Sequence, residues 1–87
     1  MVDRDPLLVE REKTHGLFAA NARYSQKIKD IFEDAAETHG NFDDVHLEAL
    51  DMIALKLSRI LSGQANFRDH WDDIAGYAKL ASEACDK

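Results

Sequence analysis

The sequence predicts an all-α fold, an antiparallel bundle of three long helices with a short N-terminal helix or arm. Three observations carry this expectation. Apolar residues recur at helical spacing along three segments of the chain. No alternating β-branched run competes with them. The single proline stands near the start, and Gly16, Gly40 and Gly63 punctuate the spaces between segments. Residues 1–15 form the arm, and residues 16–87 form one helical domain.

Asp5-Pro6 opens the first element. An aspartate can accept from an unpaired N–H at a helix start, and a proline ring has the φ that the first helical position needs. A short helix follows from Pro6 to Lys13 and ends before Gly16; its Leu7, Leu8 and Val9 need cover. From Phe18 to Thr38, Tyr24, Ile28, Ile31, Phe32 and Ala35 share one face, with Arg23, Lys27, Asp30, Asp34 and Glu37 opposite. From Asp44 to Leu61, one apolar face holds Leu50, Ile53, Ala54, Leu57, Ile60 and Leu61, while Met52 and Leu55 lie on the other side. A helix apolar on two sides is central in a bundle or sits at an oligomer interface. The last helix, from Phe67 to Ala84, buries Phe67, Trp71, Ile74, Ala78, Ala81 and Cys85. Thr14-His15-Gly16 returns as Thr38-His39-Gly40, each at a helix boundary, where His15 and His39 read as hydrogen-bonding turn residues.

Composition narrows the function classes. Eleven Lys and Arg against seventeen Asp and Glu give a net charge of -6, which argues against duplex nucleic acid. Cys85 is the only cysteine, so no intramolecular disulfide forms, and no thiol chemistry is implied. With no signal peptide and no membrane-length apolar run, a cytoplasmic protein is expected. A chain this short buries only about 60–65% of its unfolded surface. Together with the Met52 and Leu55 face, this points to a homodimer or higher even oligomer.

Polar residues enter the apolar pattern at two places. Glu48, Met52, Leu55 and Arg59 form one stripe, with Asp51 adjacent, so Glu48 and Arg59 line either a pocket or an intersubunit salt-bridge seam. Helix register then separates an acidic pole (Glu33, Glu37, Glu48, Asp51) from a mixed one (Lys56, Arg59, His70, Asp73). In DHWDDIAGYAKLA, Asp69 favours the helix N-terminus, Asp72 is solvated, and Asp73 shares an edge with His70 and Tyr77. Gly76 would admit a neighbouring helix or a ligand at close range. Asn21, on an apolar face, bonds a neighbouring backbone or contacts a ligand. Ser25 and His46 carry no signal.

The segments THGLFAANARYSQ, LEALDMIALKLSRILSG and DHWDDIAGYAKLA together resemble a family of small phage and prophage proteins of unknown function, over about residues 10–84. More remotely, Glu48-Ala-Leu-Asp51 is similar to the ExxD half of the MazG-like all-α nucleotide pyrophosphohydrolases. Glu33-Asp34-Ala-Ala-Glu37 stands where that family has EExxE, with Asp34 in place of a glutamate. The MazG resemblance implies Mg²⁺ held by Glu33, Glu37, Glu48 and Asp51, with Glu48 and Asp51 at the catalytic centre. It also implies cleavage of a nucleoside triphosphate to monophosphate and pyrophosphate. Lys56 and Arg59 would neutralise the triphosphate, and Asn21, His70, Asp73 and Tyr77 are the further substrate-binding candidates. Two other expectations remain open. One is a nucleotide-binding protein without catalysis, such as an anti-defence sponge or an inhibitor of a host enzyme; the other is a structural oligomeric interaction module.

Overall fold

A computed structural model of the chain describes residues 5–85, apart from the Thr14 side chain. Residues 1–4 of the expected arm and 86–87 of the expected domain lie outside the described residues. Among the described residues there are four α-helices and no strand: α1 (Pro6–His15), α2 (Phe18–His39), α3 (Asp44–Arg59) and α4 (Arg68–Glu83). A kinked turn with π-type hydrogen bonding, Ile60–Gln64 (the π turn), joins α3 to α4; Ser62 and Gly63 leave helical dihedrals there, and the reversal uses Gly63 at φ 110°. Among the described residues no helix is long and apolar enough to cross a membrane.

Local chemistry sets most of the helix ends. The Asp5 carboxylate accepts from Leu7 N–H at 2.8 Å, with Pro6 next in line, so α1 starts as the sequence predicts. Asp43 does the same for α3, accepting from His46 N–H at 2.9 Å. α2 ends at Gly40, whose left-handed conformation lets its N–H donate to Ala36 O at 2.9 Å.

α3 packs against both α2 and α4, whereas α2 and α4 have no comparable contact with each other. Leu47, Asp51 and Leu55 share cavities with α2 residues. His46, Ala49 and Lys56 turn toward α4. At about 100° per residue these two sets fall on opposite sides of α3. The three long helices therefore lie side by side with α3 in the middle. Neighbouring axes about 8–10 Å apart give such a layer a width of roughly 21–25 Å. The molecule measures 55 × 25 × 17 Å. His46 meets Ala81 O at one end of the α3–α4 pair and Lys56 meets Asp73 at the other, so the two helices run in opposite directions.

This arrangement decides what is buried. The deepest positions are small or polar: Ala49, Ala54, Ser58 and Ser25, with Asn21 and His70. Small side chains let the helix backbones approach, and the Ser58 hydroxyl is satisfied by donating to Leu55 O at 2.6 Å. Larger side chains are left on the broad faces. Ile31 (66% exposed), Trp71 (50%) and Cys85 are not buried as the sequence pattern predicts, because each edge helix has a neighbour on one side only. Leu7, Leu8 and Val9 are likewise exposed. Leu55, assigned by pattern to a second chain, faces Ala22, Ser25 and Gln26 of α2.

Candidate functional site

Where α1 meets the start of α2 and the π turn, one side chain ties three segments together. Asn21 Nδ2 donates to His15 O at 2.6 Å, and Asn21 Oδ1 accepts from the Ser62 hydroxyl. Ser62 Oγ also lies 2.8 Å from Ser58 O and 3.2 Å from Arg59 O, so one proton is shared among three acceptors. Gln64 Nε2 adds a contact to Glu12 O at 3.4 Å. Of the two readings of Asn21, the backbone bond is present.

Beside this clip lies a cavity of about 340 Å³, lined by Leu8, Arg11, Glu12, His15, Gly16, Phe18, Asn21 and Arg59. Its volume is at the low end for small-molecule sites. A second hollow of about 190 Å³ continues past Arg59 along α2 to Leu55. Among the described residues, the lining brings the guanidinium groups of Arg11 and Arg59 and the His15 imidazole together beside the Glu12 carboxylate, in a chain of net charge -6. Among the described residues, the carboxylate that acts on Arg59 is Asp73, which Lys56 already holds at 2.8 Å. Burial and then Arg11 lower the Arg59 pKa, but a guanidinium remains charged at any working pH. Burial first, and then Arg59, lower the His15 pKa, with Arg11 and His70 acting in the same direction. Behind His15 stands His70, 1% exposed, with ring centroids 5.9 Å apart; Phe67 packs edge-on to His70 at 4.9 Å. The hydrogen bond from Lys56, followed by its charge, holds the Asp73 carboxyl below its ordinary value.

Of the residues singled out in the sequence, Asn21 and Arg59 line this cavity, and His70 supports it through His15. Lys56 and Asp73 pair with each other close by. Tyr77 lies elsewhere, in an apolar groove of about 330 Å³ with Asp44, Val45, Glu48, Ala49 and Leu80. The carboxylates do not assemble. Glu33 and Asp51 line a hollow with Lys29 between α2 and α3, Glu48 faces the α4 side, and Glu37 is exposed. Among the described residues no three His, Cys, Asp or Glu side chains could hold a metal ion together. Glu33, Glu37, Glu48 and Asp51 as placed therefore do not fit a shared Mg²⁺, and no step is derived through one. Arg11, His15 and Phe18 complete the cavity without having been read as ligand-facing from sequence. The available signal was the i, i+4 spacing of Arg11 and His15, one turn apart on α1.

A family model described as "Domain of unknown function (DUF6378)" matches residues 4–85. The chain belongs to this family. No curated protein and no solved structure matches the chain. The DUF6378 match spans α1 through α4, so the cavity and every helix that builds it lie within the family domain.

Proposed function

We propose that this protein binds a small phosphorylated ligand of the nucleotide class in the cavity between α1, α2 and the end of α3. The convergence of Arg59, Arg11 and His15 on one hollow of an otherwise acidic chain carries the reading. Guanidinium groups suit phosphate because their planar donor forks match its oxygens. Phe18, 82% exposed at the rim, offers a ring on which a base can stack, and Leu8 supplies further apolar contact. Asn21 and Ser62 hold the hollow open by fixing α1 to the π turn. Binding of this kind needs no metal, so the non-catalytic expectation fits the placed residues better than pyrophosphohydrolysis does. The three long helices form the antiparallel scaffold that carries the site.

Calorimetry against nucleoside triphosphates and cyclic nucleotides tests the proposal. We expect saturable binding, with the ligand recovered unchanged. Arg59→Ala should weaken it about 10- to 100-fold, since a hydrogen bond to a charged group contributes roughly 1.5–3 kcal/mol. No heat with any of these ligands, or equal affinity in Arg59→Ala, would overturn the reading. Release of phosphate or pyrophosphate would replace binding with hydrolysis.

A further inference from the structure

At the opposite end of the α3–α4 pair, packing assembles a carboxylate, an imidazole and a thiol in line. Asp43 Oδ1 lies 3.0 Å from His46 Nδ1, and His46 Nε2 lies 3.6 Å from Cys85 Sγ. Asp43 Oδ1 also accepts from His46 backbone N–H at 2.9 Å, so the first turn of α3 fixes both the carboxylate and the ring it orients. Ala81 O lies 3.2 Å from His46 Nε2 and 3.5 Å from Cys85 Sγ. Each ring nitrogen therefore faces an acceptor, and a protonated imidazole could donate at both. The thiol is exposed, and the half-buried His46 ring also lines an apolar cavity of about 310 Å³ with Phe42, Leu50, Ile53 and Ala81. This is the nucleophile, base and orienting group in the order that activates a cysteine, next to a hollow that can seat the apolar part of a reagent.

We propose that Cys85 is a site of reversible thiolation by low-molecular-weight disulfides, with His46 as its proton acceptor and Asp43 as a positioning residue. The thiol proton passes to His46 Nε2 as the Cys85 sulfur attacks one sulfur of the disulfide. A new S–S bond forms to Cys85, the reagent's own S–S bond breaks, and the departing thiolate takes the proton from His46. Cys85 is oxidised to the disulfide level and the departing sulfur is reduced to a thiol. The disulfide is the only oxidant needed.

The full chain is mixed with the chromogenic disulfide dithionitrobenzoate at neutral pH, and the rate of thiol release is followed. Because His46 stands 3.6 Å from the sulfur and takes the thiol proton as it attacks, the native chain should react about tenfold faster than the same chain unfolded in urea. His46→Ala and the size-preserving His46→Gln should both fall to the unfolded rate. Free imidazole should restore part of the rate to His46→Ala while leaving the wild type unchanged, which a purely structural role for His46 would not produce. A mixed disulfide with oxidised glutathione, seen by mass on the wild type and absent from Cys85→Ser, would place the product on this sulfur. The proposal fails if the native rate does not exceed the unfolded rate, or if both His46 variants react as fast as the wild type.

Discussion

A methyl group added at Gly16 would come 2.8 Å from Ser62 Oγ, on a backbone whose φ of 76° already disfavours a side chain. At Gly76 the same methyl would meet nothing within 4 Å. Of the two sequence readings of Gly76, close approach of a neighbouring helix is thereby corrected, and within the chain its helical backbone carries only the entropic cost of glycine. Gly16→Ala should destabilise the chain by roughly 1–3 kcal/mol, and Gly76→Ala should stabilise it by about 0.5–1 kcal/mol. Urea unfolding of the two variants measures both, and equal midpoints would refute the contrast. His15 supports a second prediction. Burial and the neighbouring Arg59 hold its pKa below the ordinary value of about 6.5. The unfolded chain thus takes the proton first, and the fold loses stability as pH falls through that value. An anion bound among Arg11, Arg59 and His15, with Glu12 and His70 beside them, would raise the His15 pKa again. Binding must then take up a proton, and affinity should rise as pH falls from about 8 to 6. Comparison with His15→Asn separates this from titration of the ligand's own phosphate. Parallel affinity–pH curves for variant and wild type would place the ligand away from His15.

Helix by helix, the sequence was a good guide to extent and a poorer one to neighbours. Apolar periodicity located α2 to within one residue at its C-terminus, the Asp5 cap gives the start of α1, and α3 begins at Asp44 as expected. Periodicity also showed that α3 has two apolar sides. It did not show what covers each, because a single helix records its own faces and not the positions of the helices beside it. Trp71 and Cys85 show the consequence: their helical phase suggested burial, yet with a neighbour on one side only that phase is left open. The π turn was hidden for a related reason. Leu57, Ile60 and Leu61 continue the helical spacing into it, and the backbone leaves helical dihedrals only at Ser62 and Gly63, where the Ser62 hydroxyl is shared between α3 carbonyls and Asn21. The ExxD spacing misled in the same way. Glu48 and Asp51 are one turn apart on neighbouring parts of α3, but Glu48 lines the hollow shared with α4 and Asp51 the one shared with α2. Arg59 and Asn21 were legible because each breaks an apolar stripe. His46 was not, because its partner Cys85 is 39 positions away and meets it only through packing of α3 on α4.

For the whole molecule the open quantity is surface. A compact chain of 9.8 kDa exposes about 5,200 Å², whereas this one exposes 6606 Å². Its radius of gyration is 15.2 Å, against about 12 Å for a compact domain of this length. The excess of roughly 1,400 Å² exceeds the ~800 Å² that each partner contributes to a standard interface. Helical phase divides the layer into two unlike faces. One carries Glu48, Arg59, Gln26 and Asp73 among its apolar residues; the other gathers Tyr24, Ile28, Ile31, Leu50, Leu57, Ile74 and Trp71. The Leu55 side that pattern alone assigned to a second chain is faced by α2, so the apolar face is the one left for a second copy. Two layers stacked on that face would bury it on both sides, as helix-on-helix architectures require. We therefore expect a homodimer at micromolar concentration. Ile31→Glu should break it, and because Ile31 is 66% exposed the monomer should lose no more than about 0.5 kcal/mol. Leu55→Asp should behave differently, lowering the melting temperature of monomer and dimer alike by setting a carboxylate against α2. Light scattering with concentration-dependent melting curves separates the two effects. A wild-type mass of one chain, or an Ile31→Glu variant that stays dimeric, would show that this face is not the interface.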